Sequence, residues 1–367
     1  MGTFETQRIL FYHGSMDSTD HSILRDKAVL GEPVVDPAAW DKADFENNDD
    51  WIIKLSAAEI ADLRAMGAKA RANFGDDPNG LLDTEKTDFD LGSFTPTLER
   101  VLHELRDGRG ITLIRGLPYA DMGPIEAAYI YWGIGRHMGE AVSNNAAGDM
   151  LGHVIDTGID INDPNHRGYQ TSVEMDFHCD QCDVVGLLCT HTAKSGGKSK
   201  VVSSLSMYNE LLKRRPDLVP VLAEPFCWTM HSEINDGSKN YYESPTFNFL
   251  DGKLCVAFGP MHMRKGHLLP EAPDMTEQQA EAMKVAEGIC DELHYAMEMQ
   301  QGDIQFVNNS VALHTRTGFE DWPEPERKRR LWRLWLVAPD MRPPTPYIKH
   351  WRGGLHLEGT KLRVELI

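Results

Sequence analysis

A chain of 367 residues with 41% apolar and 25% charged side chains can bury a large core, as one large or two medium domains. Its formal net charge of −19 repels phosphate backbones and argues against nucleic-acid partners, and no apolar run approaches a membrane span. Six cysteines in so long a chain do not make a disulfide scaffold and fit reduced thiols in a cytoplasm.

Taken in chain order, "MGTFETQRILFYHG" lacks the basic and apolar regions of a secretory signal. Gly2 and Thr6 match the myristoylation pattern, but no polybasic patch supports it. Residues 1–50 read as a polar, irregular N-terminal arm, and residues 51–367 as one domain with its core at about 105–340. "LSAAEIADLRAMGAKARANF" (55–74) predicts a helix opened by Ser56 with Glu59 three positions on. A helix over 94–110, a strand at 111–118 and a helix over 123–139 follow. From about residue 150 short β-rich runs dominate, interrupted by helices at 206–214 and 276–300. The class is mainly β with helices, and many short strands with long insertions predict a barrel or jelly roll with helical decoration.

The densest chemistry lies in "MDFHCDQCDVVGLLCTHT" (175–192). Read as a strand, it points His178 and Asp180 to one face and Cys179 to the other. Two such ligands, completed by a distant histidine, make the facial triad of non-heme Fe(II) oxygenases. The triplet alone is unspecific, because His231–Glu233 and His356–Glu358 share its form. Cys179, Cys182, Cys189 and His191 offer a zinc or redox alternative. Cys179 and Cys182 would face opposite ways, and no helix follows the pair, so packing is the expected role.

Three further stretches give context. "KSGGKSKVVSS" places a Gly196-Gly197 turn before a strand opened by Ser199. His314 follows the strand-like "GDIQFVNNSVAL". Arg329 and Arg333 share one face of the final strand, although a shift of one residue would put Arg330 in place of Arg329. Arginine grips carboxylates bidentately.

In this order the motifs resemble the taurine-dioxygenase-like (TauD/TfdA) family of Fe(II)/2-oxoglutarate-dependent oxygenases, over about residues 105–340. The resemblance implies a double-stranded β-helix core and a dioxygenase that uses Fe(II), 2-oxoglutarate and O2. It implies His178, Asp180 and His314 as metal ligands, and Arg329 with Ser199 as the 2-oxoglutarate anchors. Arg333 matches a position that grips an anionic group of the substrate in some members. Asn144, Asn145, Tyr169 and Gln170 are candidate pocket residues. The order sets aside the two rival triplets. Asp180 also stands where related halogenases have Gly or Ala, which disfavours chlorination.

The expected reaction is hydroxylation of an unactivated C–H bond in a small, anionic, amino-acid or carboxylate-type metabolite, with release of succinate and CO2. Desaturation or cyclisation would use the same cofactors. Outside the class, a zinc-binding or non-catalytic jelly-roll binding protein is the alternative. The expected partner is a small molecule, without nucleic acid or membrane. A homo-oligomer is compatible with the sequence, which identifies no interface.

Overall fold

The computed structural model describes residues 25–158, 170–231 and 239–367. Gly2, Thr6, Tyr169 and Glu233 lie outside the described residues.

The helices expected at the N-terminal side form as Ala57–Phe74, Thr95–Arg106 and Pro124–Met138. The first opens with a complete capping box: the Ser56 hydroxyl accepts from the Glu59 backbone, and the Glu59 carboxylate accepts from the Ser56 N–H. A seven-stranded sheet forms the larger layer. Its strands run in the order Ile52–Lys54, Ile111–Arg115, Ile304–Asn308, Val184–His191, Arg330–Val337 and Glu140–Val142, with Gly152–Val154 also paired to Arg330–Val337. Only the first pair is parallel. A three-stranded sheet of Tyr295–Met297, Ser199–Ser203 and Ala312–Arg316 forms the smaller layer.

The large sheet is buried on both faces. Along Arg330–Val337, Trp332, Leu334 and Leu336 pack with the N-terminal helices, whereas Trp335 packs in the second cluster, with the smaller sheet. Two-sided burial accounts for the nearly continuous apolar sequence "LWRLWLV" and makes Arg333 the exception on its face. Helices Ser204–Arg214 and Glu277–Leu293 contribute to the same second cluster.

The run at 177–192 is not one strand, as its alternation suggested. The regular strand begins only at Val184, and His178 forms an isolated antiparallel bridge with His314. The intervening backbone finds other partners. Cys179 N–H donates to Phe258 O, Asp180 N–H to the Asn309 side chain, and Asp183 N–H to Leu336 O. Backbone groups satisfied in this way do not require a ladder. Cys179 and Cys182, expected on opposite faces, are both buried in the same apolar cluster.

Residues 25–50 are irregular except for Ala43–Glu46, yet they are anchored in the core. Ala28, Val34, Ala38, Trp40 and Phe45 join the second cluster. Asp36, 9% exposed, accepts from Arg25 Nε at 2.7 Å and from Arg342 Nη2 at 2.9 Å. That carboxylate ties the N-terminal stretch to the segment after the last long strand. Removing one partner of a buried ion pair leaves the other charge uncompensated, at about 3–5 kcal/mol. Asp36→Ala is therefore expected to lower the unfolding free energy by about 3 kcal/mol in a urea titration. An unchanged midpoint would show that the stretch is only laid against the fold.

Candidate active site

His178, Asp180 and His314 converge where the irregular 175–183 segment meets the Ala312–Arg316 strand. One ligating atom from each lies within 4.8 Å of the others, and among the described residues this is the one such group of three. The backbones of His178 and His314 exchange both hydrogen bonds, at 3.1 and 3.0 Å. Their rings are 4.7 Å apart between centroids.

The orientation of each group is fixed by its neighbours. His178 Nδ1 lies 2.8 Å from the Asp176 carbonyl, so this nitrogen carries the proton and Nε2 keeps its lone pair. Asp180 Oδ1 accepts from Arg333 Nη1 at 3.2 Å, while Oδ2 has no hydrogen-bond partner and lies 3.5 Å from His314 Nε2. Arg333 is held in turn, its Nε donating to Asn144 Oδ1 at 3.0 Å and its guanidinium lying 4.6 Å from the Trp335 ring centroid.

The electrostatics follow from burial and pairing. Burial, reinforced by the neighbouring His314, lowers the His178 pKa to about 4. Burial alone would raise Asp180, but Arg333 and then His314 hold it far below the usual carboxylate range. The site therefore presents a neutral His178 imidazole and an ionised carboxylate whose second oxygen is buried and unused. Imidazole nitrogen plus carboxylate oxygen is a donor set suited to Fe(II). The cysteines do not compete for an ion. All six are buried free thiols, and burial pushes Cys179 and Cys189 up to about 12. Among the described residues no cysteine belongs to a group of three side chains that could hold an ion, so no cysteine zinc centre is formed there.

A second feature lies at the start of the Arg330–Val337 strand. Arg329 is 7% exposed, forms no ion pair among the described residues, and its Nη1 has no hydrogen-bond partner. Burial pushes its pKa down to about 10. A Cβ on Gly197, whose φ is +67°, would fall 2.9 Å from Arg329 Nε, so the Gly-Gly turn leaves room for this guanidinium. A buried cation that forms no ion pair among the described residues, with Asp321 as its nearby carboxylate, fits the far carboxylate of 2-oxoglutarate. Arg330 points elsewhere, beside Tyr119 and His191, and the pairing register slips between Arg330 and Leu331. Of the two alternatives, Arg329 is thus the one beside the Gly-Gly turn. Ser199 is buried on the facing strand, and its hydroxyl donates to Gln305 Oε1 at 2.9 Å.

The remaining candidates divide. Asn144 supports Arg333, whereas Asn145 is committed to a turn, its Nδ2 donating to Asp149 Oδ2 at 2.7 Å. The structure thus places Asn144, rather than Asn145, beside the arginine. Gln170 offers its backbone carbonyl to Thr157 N–H and Oγ1. His231 stacks edge-on with His262, and His356 Nδ1 pairs with Ser143 Oγ, so neither rival histidine joins the cluster. Sequence reasoning missed Asn309. Its Oδ1 accepts from Asp180 N–H at 2.9 Å, and its Nδ2 donates to Cys182 O at 3.0 Å. One asparagine thereby fixes the turn that carries the carboxylate. The adjacent pair "NN" at 308–309 was the only signal. A cavity opens over the cluster, lined among others by Met175, Gln181, Met261, His262, Trp335 and Tyr347.

Comparisons with known proteins agree with this geometry. Residues 75–335 match the model of the family described as "Taurine catabolism dioxygenase TauD, TfdA family". The chain is 26% identical over 328 residues to FR-33289 synthase of Streptomyces rubellomurinus, covering 88% of this chain and 96% of that protein. It is 28% identical over 338 residues to taurine hydroxylase-like protein SAT17 of Stachybotrys chartarum, covering 88% and 84%. Among solved structures, asparagine oxygenase with Fe(II), 3-hydroxyasparagine and succinate superposes with a TM-score of 0.61 at 16% identity, over 80% of this chain and 97% of that one. The non-heme iron oxygenase OrfP with Fe and alpha-ketoglutaric acid gives 0.59 at 16% identity, over 78% and 93%. These likenesses show that the two layers are the jelly-roll fold of these oxygenases.

The depressed His178 pKa has a consequence for the apo-protein. An unfolded chain takes up a proton at the ordinary histidine value near 6.5, which the folded ring refuses down to about 4. Stability should therefore fall as pH drops through 6.5 toward 4. His178→Gln should remove about 2 kcal/mol of that fall, read by comparing urea midpoints at pH 7 and pH 4.5. Parallel pH profiles for the two proteins would contradict this reading.

Proposed function

This chain belongs to the TauD/TfdA family and is a Fe(II)- and 2-oxoglutarate-dependent oxygenase, and on that premise we propose that it hydroxylates an unactivated C–H bond of a small anionic metabolite, of amino-acid or carboxylate type, releasing succinate and CO2. The observation that carries the site assignment is the convergence of His178, Asp180 and His314 within 4.8 Å, with a buried carboxylate oxygen that has no hydrogen-bond partner 3.5 Å from His314 Nε2. These three would hold Fe(II). Arg329 would pair with the far carboxylate of 2-oxoglutarate, with Ser199 beside it, and Arg333 would face the anionic group of the substrate. The nature of the neighbours supports an amino-acid type of substrate: asparagine oxygenase is described with 3-hydroxyasparagine, and OrfP with (3S)-hydroxy-L-Arg.

Bound iron and 2-oxoglutarate supply the oxidising power, through reduction of O2 coupled to decarboxylation of the 2-oxo acid. The chain supplies position. Asp176 O fixes the tautomer of His178, so its Nε2 faces the cluster. Arg333 occupies one oxygen of Asp180 and leaves the other for the metal. Asn144 holds the Arg333 guanidinium, which bonds Asp180 and lines the cavity. Trp335, Tyr347 and Met261 line the cavity with apolar surface, which excludes water from the C–H bond to be oxidised.

Anaerobic titration with Fe(II) and then 2-oxoglutarate tests the assignment, through the visible charge-transfer band of the chelated 2-oxo acid. Wild type should develop the band, and His178→Ala should not. Arg329→Met should need roughly a hundredfold more 2-oxoglutarate, because a buried charge-assisted pair worth about 3 kcal/mol is lost. A band that survives His178→Ala would refute the ligand set. Incorporation of one oxygen atom from labelled O2 into product would distinguish hydroxylation from desaturation or ring closure.

A further inference from the structure

A third buried arginine has no place in the mechanism above. Arg316 lies two residues after His314 on the Ala312–Arg316 strand, opposite Ser199 in register. It is 5% exposed and forms no ion pair among the described residues. Its guanidinium instead grips two backbone carbonyls of the segment that leads into His178. Nη1 donates to Val173 O at 2.7 Å, and Nη2 donates to Thr171 O. The same guanidinium lies 4.7 Å from the Phe319 ring centroid, and that of Arg329 lies 5.2 Å from the same centroid. The two charges can therefore be no farther apart than the sum of those distances; Asp156 and Glu174 lie near Arg316 and Asp321 near Arg329, but none forms an ion pair with either guanidinium among the described residues.

The segment that Arg316 holds is a wall of the active site. Residues 171–178 run beside Ala312–Arg316 without a regular ladder. Their attachments include Phe319 N–H to Ser172 O at 3.1 Å, Thr315 Oγ1 to Met175 O at 2.7 Å, Arg264 Nη1 to Asp176 Oδ2 at 3.3 Å, and the His178–His314 bridge. Lys200 adds an outer tie, its Nζ 2.9 Å from Glu174. Met175, Asp176 and His178 line the cavity. Among the described residues Arg316 and Phe319 both tie this wall to the surroundings of Arg329, and of the two only Arg316 carries a charge.

We propose that Arg316 is a positioning residue that couples 2-oxoglutarate binding to the 171–178 wall of the substrate cavity. This rests on the assignment of Arg329 as the co-substrate anchor. Without an anion, two like charges share a buried site, and their repulsion loosens the grip of Arg316 on the Thr171 and Val173 carbonyls. A carboxylate on Arg329 removes that repulsion, and the wall tightens. By reciprocity, a firm wall favours the co-substrate by the same factor. The substrate cavity is then fully formed only once 2-oxoglutarate is in place.

The test uses the full chain loaded anaerobically with Fe(II), and reads hydrogen exchange in peptides spanning 171–178 with and without 2-oxoglutarate. The charge-transfer band is recorded in the same samples. In wild type, exchange in this segment should slow by roughly fivefold or more when the band forms. Arg316→Lys keeps the charge but cannot span two carbonyls. It should form the band at nearly wild-type 2-oxoglutarate concentrations and lose the slowing. Arg316→Met should lose the slowing and need severalfold more 2-oxoglutarate. A residue with a merely structural role would raise exchange equally with and without co-substrate. A band without any slowing in wild type, or slowing retained in both variants, would overturn the coupling and leave the site assignment standing. Absence of the band in wild type would instead overturn the assignment on which the coupling rests.

Discussion

The buried carboxylate of Asp180 is the constraint on which the rest of the site depends. A lone carboxylate in an apolar interior would take up a proton. Here Arg333 prevents this, and Arg333 is itself a buried cation that needs support. It obtains that support from Asn144, from the Trp335 ring and from Asp180. Each member of the group makes burial of the next tolerable. Because Arg333 takes only Oδ1, the ionised state is preserved and the second oxygen stays near the His314 imidazole.

The second arginine works by the opposite arrangement. Arg329 is buried beside Arg316, and among the described residues neither forms an ion pair with a carboxylate. Leaving a cation unpaired in the interior costs stability, and such costs concentrate where a ligand relieves them. The Gly196–Gly197 turn adds the space: any side chain at 197 would press on the guanidinium. Charge is thus internally neutralised around Asp180, whereas Arg329 forms no ion pair among the described residues. On the proposed reading, a dianionic co-substrate would pair its far carboxylate with Arg329 and present its 2-oxo acid end to the cluster.

The large sheet holds both arrangements in register. Trp332, Leu334 and Leu336 anchor the last long strand against the N-terminal helices, which leaves the odd-numbered positions for the site. Arg329, Arg333 and Trp335 face inward because their neighbours in sequence are fixed outward. The register slip at Arg330 leaves that residue with Tyr119 and His191 on the other side.

Much of this was legible in the sequence, for identifiable reasons. Capping residues and apolar spacing are local, so the helix after Ser56 and the helices over 95–106 and 124–138 could be read directly. The order of His178, Asp180, Gly196-Gly197, Ser199, His314, Arg329 and Arg333 pointed to a family, which the match over residues 75–335 shows. The sequence could not show that the 175–183 segment leaves strand geometry. Its hydrogen bonds go to Phe258, Asn309 and Leu336, all distant in the chain. Nor could it choose between Arg329 and Arg330, or between Asn144 and Asn145. Those choices turn on a register slip and on which amide reaches a guanidinium 189 residues away. Residue type and spacing determine which chemistry a chain carries. Which atom faces which is decided by the long-range pairing of buried charges, and that exists only once the two sheets have packed.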